Sequence, residues 1–279
     1  MLRPLGVFAS IDAGLGVNLD VAHELGVPTI QLHAPHQKTR TLENAERFLK
    51  RLESLGIRLT AVFGGFEGES YADIPTVMRT VGLIPPVTRA ARLAEMCEIS
   101  DFARTLGCDV VALHLGFVPH DRKSGSYIDA VVVTRQLCEH CRRNRQALHL
   151  ETGQETADDL LQFLRDVERD NLFVNFDPAN MILYGSGEPI PALEKVGRYV
   201  RSVHCKDATW AARPGAEWGA EVPLGEGAVD FDRFLRTLDK VGYTGPLTIE
   251  REIPQEPERQ KAEIGRALKL LEFLQCKIG

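Results

Sequence analysis

The sequence lacks the features that mark membrane-spanning, secreted or disulfide-stabilised chains. It contains no apolar run of about 20 residues, the length that a transmembrane helix needs, so we expect no membrane partner. Its six cysteines among 279 residues are too sparse for a disulfide scaffold. Cys138 and Cys141 form a C-x-x-C pair within a helical pattern, and no second pair accompanies them. We interpret the pair as ordinary helix packing, and the cysteine usage as typical of a cytoplasmic protein.

Positive charge is also scarce. Lys and Arg number 33 against 39 Asp and Glu, which gives a formal net charge of −6. Because nucleic-acid binding depends on a basic surface, we expect no nucleic-acid partner. The N-terminal segment is apolar, but Pro4, Gly6 and Asp12 keep its apolar stretch too short for a signal peptide, so we predict a buried strand there. The sequence shows no Pro/Gly/Ser-rich linker, low-complexity run or close repeat that would divide it.

Short apolar runs alternate with amphipathic helical stretches along the whole sequence. The runs are rich in Val, Leu, Ile and Phe and show little polar alternation, as expected of strands that are covered on both faces. Glycines follow the helical stretches where C-terminal caps belong, at Gly56, Gly107 and Gly242. The eight runs are residues 5–9, 29–33, 59–63, 110–115, 147–151, 172–177, 200–204 and 247–250.

Eight strand–helix units of about 35 residues each predict a single α/β domain over residues 1–279, a (β/α)8 TIM barrel. An open doubly wound sheet would call for a glycine-rich phosphate loop, and the nearest candidate, residues 14–19, lacks the third glycine. Two connections are long, residues 64–88 and residues 206–229. Loops of this length are typical of lids or binding loops. We also expect these loops to be available for the contacts of a homodimer.

The polar residues that end the later apolar runs carry the functional signal. Runs five to eight end in Glu151, Asp177, His204 and Glu250, and a barrel brings such strand ends together around one axis. Three carboxylates in one small volume would repel one another, and a divalent cation removes that repulsion. Oxygen-rich ligands with one nitrogen favour Mn²⁺, with Mg²⁺, Zn²⁺, Co²⁺ or Fe²⁺ as alternatives. We therefore predict one divalent metal ion bound by these four side chains, with Glu252 as an alternative ligand.

A polar layer is predicted beneath this metal site. His149, Asn175, Ser202 and Thr248 each lie two residues before a ligand, so they point the same way about 6.6 Å deeper. Barrel interiors normally favour aliphatic side chains, and polar ones there indicate support for the metal ligands. A buried polar network without a metal is the alternative interpretation.

Further candidates for substrate contacts lie on the same face of the barrel. His33 and His114 lie at the ends of runs two and four, where each would either hydrogen-bond a sugar hydroxyl or form part of the pocket wall. Lys206 follows His204 closely and is expected near the substrate, the alternative being a surface ion pair. Trp210 and Trp218 in the second long loop can stack on a sugar ring, although packing or a subunit contact would explain them equally well.

Six segments carry a family resemblance: residues 112–119 (ALHLGFVP), 148–154 (LHLETGQ), 175–180 (NFDPAN), 203–207 (VHCKD), 223–227 (PLGEG) and 242–250 (GYTGPLTIE). Together they resemble the xylose-isomerase-like TIM barrels, a superfamily often described as sugar phosphate isomerases and epimerases. The resemblance covers nearly the whole chain. It implies that Glu151, Asp177, His204 and Glu250 bind one divalent metal, and that the two glutamates act as an acid/base pair, as in the ketose 3-epimerase branch.

Two departures from the ketose 3-epimerase pattern bear on the substrate. That branch has a His three residues after the strand-six Asp, where this sequence has Asn180. A substrate-binding Arg expected soon after the strand-seven His is not at the matching spacing, since Trp210 lies near that position and Arg213 slightly later. Asn180, Trp210 and Arg213 therefore stay candidate substrate contacts, while the epimerase substrate itself is not carried over.

These observations favour a metal-dependent sugar or sugar-phosphate isomerase or epimerase whose partner is a small-molecule carbohydrate. One glutamate would remove a proton beside a carbonyl, and the other would return it to the resulting enediolate. The alternative is a metal-dependent lyase or dehydratase acting on a keto-sugar, keto-inositol or 3-keto-glycoside. Asn180 and the charge of −6 argue against a DNA-repair endonuclease, and the intact ligand set argues against a non-catalytic sugar-binding protein. No organic cofactor is indicated.

Overall fold

Eight parallel strands close into a barrel in the computed structural model of the chain, which describes residues 2–12 and 14–278. The barrel strands are β1 (Leu5–Ala9), β2 (Thr29–His33), β3 (Arg58–Gly64), β4 (Val110–Leu113), β5 (Ala147–Glu151), β6 (Leu172–Phe176), β7 (Val200–Cys205) and β10 (Leu247–Ile249), while β8 (Asp207–Thr209) and β9 (Ala220–Val222) form a separate antiparallel pair. Successive barrel strands are neighbours, and β10 closes the ring against β1. Each barrel strand corresponds to one predicted apolar run, so the (β/α)8 prediction is confirmed.

Helices connect the strands and end where the sequence predicts. Thr41 caps the start of α2 by accepting the Asn44 N–H at 3.2 Å, and Gly56 ends that helix with a φ of 66°. Gly107 and Gly242 adopt similar positive φ values of 67° and 76° just after α4 and α9. The helices are α1 (Leu19–Glu24), α2 (Leu42–Leu55), α3 (Ile74–Thr80), α4 (Arg89–Thr105), α5 (Gly125–Arg143), α6 (Ala157–Val167), α7 (Pro178–Tyr184), α8 (Pro189–Val196), α9 (Phe231–Lys240) and α10 (Pro257–Ile278), with short 3₁₀ turns at Gln37–Thr39 and Gly197–Tyr199.

Both long connections contain secondary structure that sequence reasoning missed. The first holds α3, which begins where Asp73 accepts the Thr76 N–H at 2.7 Å and Pro75 occupies the first turn. The second holds the β8–β9 hairpin. A helix of seven residues and strands of three are too short to show a periodic apolar pattern.

The hydrophobic core lies between the barrel and its surrounding helices. Fully buried side chains such as Phe163, Phe176 and Phe234 fill this layer. Cys138 and Cys141 face it from α5 as free thiols, and burial raises the pKa of both to about 12. Both residues therefore pack within the core, as predicted. None of the helices formed by the described residues combines the length and the apolar character of a membrane span.

Candidate metal centre

Four side chains converge at the carboxyl end of the barrel: Glu151, Asp177, His204 and Glu250. Each offers one ligand atom, and the four atoms lie within 4.8 Å of one another. The Nδ1 atom of His204 is 2.7 Å from Glu151 Oε1, 3.1 Å from Glu250 Oε2 and 3.8 Å from Asp177 Oδ2. The strand-end residues singled out by the sequence therefore share one small volume, with ligand types and separations suited to a single divalent ion.

The stagger of the barrel strands explains how ligands at different positions along their strands meet. His204 lies level with Thr248 of β10, and Glu151 lies level with Asn175 of β6. In both pairs, the neighbouring ligand comes two residues further along its strand. Between β6 and β7, Asn175 pairs with Ser202, so Asp177 and His204 are level without a displacement. Because the strands of a closed barrel are tilted and staggered, ligands at different positions along their strands can meet at one height around the axis.

The two carboxylate oxygens of Asp177 have different surroundings. Asp177 directly precedes α7, and its Oδ1 accepts the N–H groups of Ala179 at 2.8 Å and Asn180 at 3.0 Å. Its Oδ2 is buried and has no hydrogen-bond partner among the described residues. Burial raises the pKa of this carboxyl well above its usual range. A cation between Asp177 and His204 would satisfy this oxygen, so the arrangement fits a bound metal ion.

Gln31 orients the imidazole of His204 and was missed by sequence reasoning. Its Oε1 lies 2.8 Å from His204 Nε2, and its side-chain amide donates to Asn175 Oδ1 at 3.4 Å. Because this amide oxygen only accepts, His204 carries a proton on Nε2 and donates it to Gln31, which leaves Nδ1 facing the carboxylates, as metal-binding histidines require. The signal was a polar residue two positions before His33, which places it on the inner face of β2.

The predicted polar layer exists but supports the ligands less directly than expected. His149, Asn175, Ser202 and Thr248 are all buried. The imidazole of His149 bonds the Ser202 hydroxyl at 2.8 Å, and the Thr248 hydroxyl has no hydrogen-bond partner among the described residues. Through Gln31, Asn175 is connected to the ligand His204. The polar layer therefore contacts the proposed metal ligands mainly through Gln31, which comes from β2 on the opposite side of the barrel.

The charges of the centre depend on one another. Burial opposes ionisation of Glu250, but the Lys206 ammonium and the His204 imidazole outweigh it and lower the pKa of that carboxyl. Burial likewise opposes the imidazolium of His204, but Glu250 and Glu151 raise its pKa to about 10. Burial raises the pKa of Glu151, against the opposing effect of His204. Without a cation, the positive charge of the His204 imidazolium therefore offsets the repulsion between these carboxylates.

A cavity of about 210 Å³ opens against this centre. Five aromatic side chains line it, and two of them, Tyr184 and Trp218, meet edge to face with ring centroids 4.5 Å apart. Aromatic rings beside carboxylates suit a ligand with both C–H faces and hydroxyl groups, such as a sugar. The aromatic residues are Phe8, Phe63, Tyr71, Tyr184 and Trp218.

Four of the six predicted substrate contacts line the cavity: His33, His114, Asn180 and Lys206. Lys206 is buried and pairs with Glu250 at 3.3 Å and, more closely, with Glu252. It therefore lies inside the cavity rather than in a surface ion pair, and its contact with a substrate stays a prediction. Glu252, the alternative ligand, binds this ammonium group and lies outside the four-residue cluster.

The two cavity histidines are neutral, with ring orientations set by neighbouring groups. Burial lowers the pKa of both His33 and His114 to about 4. His33 Nδ1 lies 3.1 Å from the Ala34 carbonyl, so it carries the ring proton and leaves Nε2 as an acceptor. His114 Nε2 lies 3.1 Å from the Tyr184 hydroxyl, while its buried Nδ1 has no hydrogen-bond partner within the described part of the chain. His33 can therefore accept a hydrogen bond from a ligand hydroxyl through Nε2, while His114 forms part of the pocket wall with Tyr184.

Trp210 and Arg213 lie outside the cavity, contrary to the expectation that they contact substrate. Arg213 lies in the connection between β8 and β9 and pairs with Glu217 at 2.5 Å in an exposed position. Trp210 packs partly buried against the hydrophobic core. Trp218, on the return side of the same hairpin, reaches the cavity instead. Antiparallel pairing within this loop, which the sequence did not reveal, accounts for the difference.

A sequence profile described as xylose isomerase-like TIM barrel matches residues 19–273. A crystal structure of a xylose isomerase domain protein from Planctomyces limnophilus is 58% identical and covers 100% of this chain and 99% of that one, with a TM-score of 0.97. A xylose isomerase-like TIM barrel protein from Mycobacterium smegmatis, solved in complex with magnesium, is 20% identical, with a TM-score of 0.71 over 99% of this chain and 98% of its own.

Curated relatives match over shorter segments. Inosose dehydratase from Clostridium beijerinckii is 25% identical over 120 residues, which are 39% of each protein. L-ribulose-5-phosphate 3-epimerase UlaE from Salmonella paratyphi A is 36% identical over 81 residues, which are 29% of this chain and 26% of that protein. The alignments thus span well under half of these relatives. The profile match and the full-length structural match show that the chain belongs to the xylose isomerase-like TIM barrel family.

Proposed function

We propose that this protein is a metal-dependent carbohydrate isomerase or epimerase that moves a proton on the carbon next to a carbonyl group. The observation that carries the proposal is the placement of two glutamates at the edge of one cavity, with Glu151 2.7 Å and Glu250 3.1 Å from His204 Nδ1. They come from β5 and from the end of β10, two strands separated by β6 and β7. Two carboxylates on different strands can reach a substrate carbon from different directions, as proton exchange between epimers requires.

A divalent ion is the proposed cofactor. Glu151, Asp177, His204 and Glu250 would hold it, with Mn²⁺ or Mg²⁺ best suited to this ligand set. The magnesium complex of the Mycobacterium smegmatis relative supports a divalent cation in this family. When bound, the ion would supply a Lewis acid that stabilises negative charge developing on the substrate's carbonyl oxygen.

The chain's own side chains provide proton transfer and orientation. Lys206 contacts Glu250 at 3.3 Å and keeps it ionised, so Glu250 is available as the proton acceptor, although the same contact weakens it as a base. Glu151 lies against His204 in a buried position, which suits it to return a proton on the other side. His33 Nε2 is available to hydrogen-bond a substrate hydroxyl, while His114 and the aromatic side chains form the wall against which the sugar would pack.

The second candidate is a lyase or dehydratase acting through the same first step. Its support is the alignment of 120 residues with inosose dehydratase from Clostridium beijerinckii. In that reaction, loss of the proton would be followed by departure of a neighbouring hydroxyl group, so one base and one acid act in sequence rather than on two faces. The products distinguish the two candidates, since a dehydratase yields an unsaturated carbonyl compound and an epimerase does not.

The test combines isotope exchange with two conservative variants. The Mn²⁺-loaded protein is incubated in deuterium oxide with a panel of ketoses and ketoinositols, and deuterium in the recovered substrate is measured by mass spectrometry. Glu151→Gln and Glu250→Gln should each lower net conversion by roughly 10²–10⁴-fold, because glutamine keeps the shape but carries no proton. In an epimerase, each variant should retain exchange with one epimer only.

Controls separate proton transfer from metal loss. Metal content is measured for each variant, and Glu217→Gln removes an exposed carboxylate at the hairpin tip, which the structure places outside the cavity. This control should keep wild-type turnover. If both metal-loaded cavity variants turn over at the wild-type rate, the two-glutamate proposal is wrong. Loss of activity in only one of them, with an unsaturated product from the wild type, would favour the lyase.

A further inference from the structure

The cavity contains positive side chains, but its carboxylates neutralise them. Of the described residues that line it, Lys206 and Arg251 are cationic, since both cavity histidines are neutral. Lys206 lies between Glu250 and Glu252 and is almost fully buried. Its ammonium group therefore has two carboxylate partners before any ligand enters.

The Arg251 guanidinium is likewise paired with two carboxylates of the protein. Its Nη1 lies 2.7 Å from Glu221 and its Nε lies 2.8 Å from Glu263. All three side chains are largely buried, so these contacts are shielded from solvent. Glu252 joins this cluster through its backbone N–H, which donates to Glu221 at 3.0 Å. The guanidinium is thereby held on the protein's own carboxylates and away from a ligand.

The balance of charge in the cavity is negative. Five glutamates line it against the two cations: Glu69, Glu151, Glu221, Glu250 and Glu252. Even with a divalent ion bound beside Asp177, the carboxylates outnumber the positive charges by two. An anionic substituent on a ligand would therefore meet repulsion without a free cation to offset it.

TIM barrels commonly bind phosphate at the loops after strands seven and eight. In this chain, a run of backbone N–H groups in that region converges on the carboxylate of Asp207. Asp207 Oδ2 accepts from Gly225 at 2.9 Å and Gly227 at 3.0 Å, and Oδ1 accepts from Val229 at 3.0 Å and Ala208 at 2.9 Å. Such concave sets of N–H groups bind anions, and here the anion is an internal side chain.

The packing around Asp207 is tight enough to keep an external anion out. A Cβ atom added to Gly227 would lie 2.1 Å from Asp207 Oδ1, so the loop and the carboxylate are in direct contact. Asp207 itself is buried. Its carboxylate is therefore a fixed part of the loop, and the N–H groups are not available to a substrate.

We propose that the substrate is an unphosphorylated polyhydroxy carbonyl compound of monosaccharide size, and that Glu221 and Glu252 exclude phosphate esters from the cavity. The inference rests on the proposed function, in which this cavity binds a sugar. The cavity volume of about 210 Å³ falls below the roughly 300–1,000 Å³ of pockets for larger ligands, which favours one sugar unit over a glycoside. The acceptor nitrogen of His33 and the aromatic walls match neutral hydroxyl groups and C–H faces.

The experiment compares matched pairs of ligands on the Mn²⁺-loaded protein. L-ribulose is compared with L-ribulose 5-phosphate, and D-fructose with D-fructose 6-phosphate, by calorimetric titration and by deuterium exchange from solvent. Each phosphate ester should bind at least about 100-fold more weakly than its parent ketose, because like charges face each other in a largely buried cavity. Inorganic phosphate at millimolar concentration should not compete with the ketose.

The Glu252→Gln variant tests whether Glu252 causes the weaker binding of phosphate esters. Glu252→Gln leaves Lys206 with one carboxylate partner instead of two and should narrow the affinity gap between each phosphate ester and its parent ketose by about 10-fold. Glu256→Gln is the matched control, because Glu256 is exposed on the same loop and does not line the cavity. Equal discrimination in the wild type and Glu252→Gln would overturn the role assigned to Glu252.

The remaining outcomes separate this inference from the proposed function. Phosphate esters that bind as tightly as their parents would overturn the inference. So would a metal-loaded protein that binds neither member of any pair, since the cavity would then not be a ketose site. Selective binding of the neutral ketoses without any deuterium exchange would uphold the inference and contradict the proposed isomerase chemistry.

Discussion

Gln31 offers a direct way to test how the barrel prepares His204 for a metal ion. Its Oε1 lies 2.8 Å from His204 Nε2, and both side chains are buried in the barrel interior. Gln31→Leu keeps a side chain of similar size but removes the acceptor. The imidazole would then have a buried Nε2–H without a partner, or would move its proton to Nδ1, the nitrogen that faces the carboxylates.

Two independent estimates give the size of the effect. A buried donor left without its partner costs about 1–3 kcal/mol. Mutating a group that orients a metal-binding histidine typically lowers metal affinity by about 10–100-fold, which corresponds to about 1.4–2.8 kcal/mol. The two ranges overlap. We therefore expect Gln31→Leu to raise the Kd for Mn²⁺ by about 10–100-fold.

Calorimetric titration with Mn²⁺ at constant pH measures this change. Gln31→Glu is the matched control, because it keeps an acceptor oxygen for the Nε2–H and should retain most of the affinity. Thermal unfolding of the metal-free proteins shows whether each variant is folded. A folded Gln31→Leu variant that binds Mn²⁺ as tightly as the wild type would refute the orienting role of Gln31.

Three further predictions concern charge. Asp177→Asn should weaken Mn²⁺ binding by more than the roughly 100-fold expected for an orienting residue, because it removes a charged ligand. Asparagine keeps an oxygen for the helix cap, so the fold should be retained. An unchanged Mn²⁺ titration would exclude Asp177 as a ligand. Because the pKa of His204 lies near 10 without metal, Mn²⁺ binding should release a proton and tighten by about tenfold per pH unit around neutrality. Titrations in buffers of different ionisation enthalpy would reveal this proton, and heats independent of the buffer would contradict it. Burial raises the pKa of Glu155 to about 8, so its contribution to stability is present below the ordinary glutamate pKa and is lost as the pH rises through about 8. Glu155→Gln should therefore melt several degrees above the wild type at about pH 9 but not near pH 4, and equal melting temperatures at both pH values would argue against a buried carboxyl.

The barrel was predictable because its strands have a strong local signature. Each strand is covered on both faces, so it appears as a short apolar run, and glycines such as Gly56 mark the ends of the helices between. The four proposed ligands were found for the same reason, since each is a polar residue at the end of such a run. Asp177 and Glu250 lie one residue beyond their strands in the structure, a difference without consequence for the site.

Other parts of the site depend on contacts that no local pattern reveals. Gln31 meets His204 across the barrel interior, and the stagger of the strands decides which inner-facing residues come into contact. The β8–β9 hairpin is built from three-residue strands, so sequence reasoning treated Trp210 and Arg213 as residues of a binding loop. The pairing of Arg251 with Glu221 likewise follows from that hairpin.

The measurement that tests the central claim most directly is a crystal structure of the Mn²⁺-loaded protein with anomalous scattering data. The account predicts one strong anomalous peak among Glu151, Asp177, His204 and Glu250, with Nδ1 of His204 as the nitrogen ligand. It also predicts that Asp177 Oδ2, which has no hydrogen-bond partner among the described residues, is a ligand of the ion. A peak elsewhere, or its absence from this site in fully loaded crystals, would contradict the assignment of these four residues as a metal centre.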